Sequence, residues 1–147
     1  MNVIVSLPDD SQRARVRTSM ASLAVEASAG TGKTYLLVVR ALWLILARRI
    51  PADALVALAF GEQAATELKE RLRAKLEEIA RTTARDALDP EVVALAPNEP
   101  LDALRTRASA ALEALDRAHV STIHAFASTL LRLHPADPVV DVTFRIT

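Results

Sequence analysis

Apolar residues occur along this chain in two patterns, short continuous runs and helical repeats. Short runs of apolar residues bounded by turn residues are typical of buried strands. They lie at 3–7, 22–27 and 54–60, with shorter candidates at 118–122 and 142–146. Apolar residues spaced by three or four positions predict helices instead. These helices are predicted at 9–20, 33–48, from 62 onward, and at 101–117 and 123–133.

The order of these elements predicts a fold class. Buried strands that alternate with helices favour a parallel sheet with helices packed on it. We therefore expect a helix-rich α/β domain over residues 1–147, with three or four parallel strands. Residues 86–100 combine prolines with mixed polarity and are predicted to be a linker or loop. The wider region 86–118 is expected to be a linker or helical insertion within this domain.

Composition and charge narrow the possible functions. The 18 basic and 18 acidic residues balance, so the chain lacks the basic footprint of a bulk nucleic-acid binder. Any contact with DNA must therefore be local. The absence of cysteine excludes disulfide scaffolds and thiolate metal sites. The most apolar run, 36–46, is too short to span a membrane, and residues 1–10 carry no signal-peptide pattern.

A phosphate-binding loop lies between the second predicted strand and the helix that follows it. Residues 27–34 fit the P-loop pattern, except that Ala27 occupies the position of the first glycine. Glycines let backbone N–H groups approach phosphate, and the following helix presents its positive end to the same anion. A tight turn is the alternative, but a turn does not require Lys33 followed by Thr34. We expect ATP or another nucleoside triphosphate to bind here with Mg²⁺.

The roles within this loop follow from side-chain chemistry. Lys33 is expected to contact the β- and γ-phosphates, and the Thr34 hydroxyl to coordinate Mg²⁺. These two residues are the catalytic candidates, and Thr34 is the metal-ligand candidate. In and directly after this loop, the residues expected to contact the nucleotide are Ala27, Ser28, Ala29, Gly30, Thr31, Gly32, Lys33, Thr34 and Tyr35.

Three segments in order resemble motifs of the UvrD/Rep-type superfamily 1 DNA helicases, most closely the branch of AddA and the exonuclease V beta-subunit. VEASAGTGKT at 25–34 resembles motif I, and AFGEQAATELKERL at 59–72 resembles motif Ia. VSTIHAFASTLLR at 120–132 resembles the T-x-H motif, and VDVTFRI at 140–146 resembles the segment that leads into motif II. The resemblance covers nearly the whole chain.

The resemblance implies a fold and an activity. It implies part of a RecA-like P-loop NTPase domain whose full-length protein couples ATP hydrolysis to translocation along single-stranded DNA. The acidic pair of motif II would follow Thr147, so the 147-residue chain by itself is expected to be inactive. The implied location is the cytoplasm, near the nucleoid. A stand-alone P-loop nucleotide-binding protein and a small kinase are the alternatives.

The resemblance also implies partners. These are single-stranded DNA and the remainder of the helicase or nuclease subunits, with no membrane. A sheet edge left without its neighbouring strand also makes homo-oligomerisation an expectation.

The resemblance assigns further residues to ligands. Gln12, 20 residues before Gly32, matches the glutamine of the Q motif, which contacts adenine. A solvent-exposed polar residue is the alternative for Gln12. Motif Ia is imperfect, because Ala59 and Gly61 replace hydroxyl residues that would bind phosphate. The residues expected to contact DNA are Phe60, Gly61, Thr122, His124 and Phe126.

Three of the DNA candidates have a purely structural alternative. Phe60 could pack in the core at the end of a strand. Ser121 or Thr122 could cap the helix that begins at Ile123. His124 could be a packed, hydrogen-bonded histidine. The basic side chains between 67 and 77 alternate with acidic ones at i,i+4 spacing, which is more typical of a solvated helix surface than of a phosphate track.

Overall fold

The computed structural model describes residues 3–6, 10–26 and 32–133. Most of the predicted phosphate loop, 27–31, and the predicted strand 142–146 lie outside the described residues. The described strands and helices are β1 Val3–Ser6, α1 Asp10–Thr18, β2 Leu23–Glu26, α2 Lys33–Leu46, β3 Val56–Ala59, α3 Glu62–Arg81, α4 Pro90–Leu95, α5 Leu101–Ala114, β4 His119–Thr122 and α6 Ile123–Leu133. Two short 3-10 turns lie at Ala52–Ala54 and Arg85–Ala87.

All described strands pair in parallel, which confirms the predicted α/β class. They form two separate two-stranded sheets, β1 with β2 and β3 with β4, instead of one continuous sheet. In the second sheet Val56 pairs with His119 and Ala59 with Thr122. Because the strands run in the same direction, the residues that follow Ala59 and Thr122 emerge at the same edge of this sheet.

The main core lies between α2, α3, α4 and α5. The predicted apolar face of α3 is confirmed, because all of its members are buried. Those members are Ala65, Leu68, Leu72, Leu76 and Ile79. Leu76, Leu104 on α5 and Leu46 on α2 are each fully inaccessible to solvent. The core is built from aliphatic side chains, as the low aromatic content of 3% predicts.

Helix α2 is the most apolar helix of this core. Its 14 residues present buried side chains such as Val39, Leu42 and Trp43 to the other helices. The helix ends at Leu46, shortly before Arg49, which has a left-handed φ of 60°. No helix in the described ranges combines the length and the apolar character needed to cross a membrane.

The predicted loop over 86–100 is wrong, because residues 90–95 form α4. Pro90 occupies the first turn of this helix, where the missing N–H has no helical partner to lose. The Asp89 side chain caps the helix by accepting a hydrogen bond from the Glu91 N–H at 2.9 Å. Val92 and Leu95 are buried in the main core. Pro90 therefore begins a short helix that packs against α2, and the other two prolines of this region, Pro97 and Pro100, follow that helix.

An ion pair between Asp89 and Lys75 makes the stability of this region depend on pH. Lys75 Nζ lies 2.9 Å from Asp89 Oδ2, and this hydrogen bond is the main cause that lowers the pKa of Asp89 and raises the pKa of Lys75. A carboxyl with a lowered pKa stabilises the folded state above its unfolded pKa of about 4 and loses this contribution as pH falls through the folded pKa. We therefore expect the melting temperature to fall in acid, and Asp89→Asn to reduce the steepness of that fall.

The matched control is Asp86→Asn, which neutralises an exposed carboxyl in the neighbouring 3-10 turn. Asparagine at position 89 still caps a helix well, so the variant removes the ion pair but keeps the cap. Melting temperatures are measured by circular dichroism between pH 7 and about 2. Identical acid profiles for Asp89→Asn and the wild type would contradict the prediction.

Candidate functional site

Gly32 is the described end of the phosphate loop and the residue before α2. Its φ of 81° and ψ of 27° place it in the left-handed region, where residues other than glycine are strained. A Cβ built on Gly32 would meet no atom within 4 Å among the described residues. The backbone conformation of Gly32 therefore explains the glycine by itself.

The N-terminus of α2 suits an anion. The first helical hydrogen bond runs from the Leu36 N–H to the Gly32 carbonyl at 3.0 Å. The N–H groups of the residues between them point out of the helix end and carry its partial positive charge. No side chain caps this end within the described part of the chain, and the first turn contains no acidic residue. The described part of the site therefore fits a phosphate group chemically.

Three of the predicted nucleotide contacts lie in the first turn of α2. Lys33 is exposed at its first position, Thr34 is half-buried and Tyr35 is exposed. Because Lys33 directly follows Gly32, its side chain leaves the backbone at the same end of α2 as these N–H groups. The predicted contacts at 27–31 lie outside the described residues. All of these ligand roles stay predictions.

Helix α1, which carries Gln12, packs against α2. Val16 and Leu36 form a small second core with Leu23 and Val25 of β2 partly buried against it. Arg40 Nη1 also donates a hydrogen bond to the Val16 carbonyl, and partial burial lowers the pKa of Arg40. These contacts fix α1 beside the helix that begins at the phosphate loop. The adenine contact of Gln12 stays a prediction.

A second candidate site lies where β3 and β4 end. Phe60 follows β3 directly and is 91% exposed, so its structural alternative as a core residue is wrong. Gly61 is extended, with φ −121°, a conformation that any residue can adopt. The resulting surface presents an aromatic ring to solvent at the start of α3.

Thr122 ends β4 and caps α6. Its Oγ1 accepts a hydrogen bond from the Ala125 N–H at 3.2 Å and donates one to Glu62 Oε1 at 3.3 Å. The residue is only 6% exposed. The capping alternative is therefore present, and the hydroxyl is already engaged within the protein. A contact between Thr122 and DNA stays a prediction.

The first turns of α6 carry the other two predicted DNA contacts. His124 is exposed, whereas Phe126 is half-buried. The Phe126 ring packs edge-on against the His119 ring of β4, with centroids 5.6 Å apart and planes at 67°. Phe60 and His124 are thus the more accessible groups at this edge, whereas Phe126 packs against β4.

Comparison with known proteins identifies the family. Residues 9–147 match the UvrD/REP helicase N-terminal domain. The chain belongs to the UvrD/REP helicase family. It is 34% identical over 137 residues to an ATP-dependent helicase/nuclease subunit from Pediococcus pentosaceus and 36% identical over 137 residues to the corresponding protein from Moorella thermoacetica. Each comparison covers 92% of this chain but only 10% and 8% of those relatives. The chain thus spans about a tenth of the length of the curated relatives that it matches.

Membership of the UvrD/REP family agrees with the resemblance that the sequence motifs indicate. Sequence reasoning missed one residue at the second site, Glu62, the first residue of α3. Its carboxylate in the first turn of α3 is a visible sequence signal for a helix start. Its contact with Thr122, 60 positions away, is not visible in the sequence.

Proposed function

We propose that this chain is the ATP-binding segment of a DNA helicase or translocase motor. In the whole protein it would couple ATP hydrolysis to movement along single-stranded DNA. The observation that carries the proposal is left-handed Gly32 followed by exposed Lys33 at the start of α2, in a member of the UvrD/REP family. The similar proteins named above are themselves ATP-dependent by name.

The nucleotide would be held by the phosphate loop and the N-terminus of α2. Lys33 would place its charge on the β- and γ-phosphates, while the N–H groups of the helix end would contact the same anion. The Thr34 hydroxyl would be a ligand of the Mg²⁺ that accompanies the nucleotide. Hydrolysis of the bound MgATP would supply the free energy that drives the motor.

Single-stranded DNA would contact the edge formed by the ends of β3 and β4. Phe60 offers an exposed ring on which a base can stack, and His124 offers a polar ring in the first turn of α6. Because Ala59 pairs with Thr122, the segments that carry Phe60 and His124 leave the sheet side by side. The remainder of the helicase and its nuclease subunits would be the protein partners in the cell.

Titration with nucleotide and with DNA tests this proposal against the two alternatives. A motor segment binds both ATP and a single-stranded oligonucleotide, whereas a small kinase or a stand-alone nucleotide-binding protein binds the nucleotide alone. The match of residues 9–147 to a helicase domain favours the motor. Nucleotide binding without any measurable affinity for oligo(dT) would contradict the DNA part of the proposal.

Phe60→Ala is expected to weaken binding to single-stranded DNA without unfolding the protein. Stacking of a base on an aromatic side chain contributes about 1–3 kcal/mol, which corresponds to a roughly 5- to 150-fold loss of affinity. Because the ring is almost fully exposed, its removal leaves no cavity. Fluorescence anisotropy of a labelled oligo(dT) measures the affinity.

Met20→Ala is the matched control for Phe60→Ala, because Met20 is also a large exposed apolar residue and lies in the segment between α1 and β2. This control should bind the oligonucleotide like the wild type. If Phe60→Ala also binds like the wild type, Phe60 does not stack on DNA.

A further inference from the structure

Two helix ends are joined by one chain of hydrogen bonds at the second candidate site. The Ala125 N–H donates to Thr122 Oγ1, and the Thr122 hydroxyl donates to Glu62 Oε1. Ala125 lies in the first turn of α6, and Glu62 is the first residue of α3. A hydroxyl that accepts one hydrogen bond while it donates another fixes both partners at once. The link therefore holds the starts of α3 and α6 together.

Each end of this link lies next to a residue of the proposed DNA surface. Glu62 is two residues from Phe60, and Thr122 is two residues from His124. Helix α6 has no buried side chain among its described residues, so its first turn is held by partial packing, such as that of Phe126 against His119, together with hydrogen bonds. The position of His124 relative to Phe60 therefore depends in part on the hydrogen bonds at the helix start.

We propose that Glu62 is a positioning residue of the DNA interface, which holds the first turn of α6 beside Phe60 through the buried Thr122 hydroxyl. This inference rests on the proposed function, because it concerns the same surface. Glu62 itself touches no DNA in this arrangement. Because Glu62 is two residues from Phe60 on this surface, its negative charge would also repel the phosphates of bound DNA, so it would act on binding in two opposite ways.

The two effects of Glu62 have opposite signs, and two variants separate them. Glu62→Gln keeps an oxygen that accepts the Thr122 hydroxyl but removes the negative charge. It should bind single-stranded DNA about two- to fivefold more tightly, because a repulsion with phosphate is lost. Glu62→Ala removes both the charge and the acceptor. It should bind about three- to tenfold more weakly, because the placement of His124 is lost.

Four further variants complete the DNA-binding experiment. Thr122→Ser keeps the hydroxyl and should behave like the wild type. Thr122→Val should bind more weakly than Glu62→Ala, because it breaks the link to both Glu62 and Ala125 and keeps the negative charge of Glu62. The double variant Glu62→Ala/Thr122→Val should be no weaker than Thr122→Val alone, since both changes break one link. Glu70→Ala removes an exposed carboxylate from the same helix and should not weaken binding. If Glu62→Ala binds DNA as tightly as Glu62→Gln, the positioning role is wrong.

Amide hydrogen exchange tests the link without DNA. Exchange at the start of α6, including the Ala125 amide, should be at least about fivefold faster in Glu62→Ala and Thr122→Val than in the wild type, and unchanged in Glu62→Gln and Thr122→Ser. Unchanged exchange in Glu62→Ala would overturn the proposal. If exchange changes as expected but the wild type does not bind oligo(dT), the link stands while the proposed DNA-binding function fails. ATP affinity should be the same in all variants, which excludes a general loss of folded protein.

Discussion

Lys33→Ala is expected to lower the affinity for ATP by about ten- to a hundredfold. Lys33 begins α2 directly after the left-handed Gly32, where the helix dipole and the N–H groups already favour an anion. Loss of a charge-assisted hydrogen bond costs roughly 1.5–3 kcal/mol, because the ammonium group contributes both a donor and a full positive charge. Isothermal titration calorimetry with ATP and ADP, in the presence of Mg²⁺, measures the difference.

Arg48→Ala is the matched control for Lys33→Ala. Arg48 is an exposed cation just beyond the other end of α2, where its guanidinium lies 5.9 Å from the Trp43 ring centroid. This variant removes the same charge from the far end of the same helix but should leave the ATP affinity unchanged. Equal affinities for the wild type and Lys33→Ala would show that residues 27–34 are only a strand-to-helix turn.

The elements that the sequence predicts best are those whose signal lies within a single segment. The apolar spacing of α3 identifies its buried face residue by residue, and the apolar run 54–60 predicts β3, which spans Val56–Ala59. The start of α2 is also predictable, because a glycine before Lys33 marks the turn. Local periodicity and turn chemistry therefore explain most of the element order.

Features that depend on distant contacts could not be predicted in the same way. Residues 90–95 are too few to show helical periodicity. They form α4 because Val92 and Leu95 pack against apolar side chains of the other helices. The division of the strands into two pairs is a tertiary property as well. At the second site, Thr122 was predictable as a helix cap, but its bond to Glu62 joins residues far apart in the chain.

Leu76→Ala is expected to cause the largest loss of stability among these variants. Leu76 is completely buried on the face of α3, in the same core as the equally buried Leu104 of α5. Truncation of a buried leucine costs about 2–5 kcal/mol, because transfer free energy is lost and the helices close the cavity only in part. A small domain has only about 5–15 kcal/mol of stability in total, so this one change removes a large fraction of it.

Leu37→Ala separates the effect of burial from the effect of residue type. Leu37 lies on α2 and is 52% exposed, so the same truncation there should cost well under about 1 kcal/mol. Urea unfolding followed by circular dichroism gives both free energies, provided that the slope with denaturant is unchanged. If Leu76→Ala unfolds at the same urea concentration as Leu37→Ala, the α3–α5 contact is not part of the stabilising core. In that case the faces of α2, α3 and α5 that join the two candidate sites would have to pack differently from the arrangement described above.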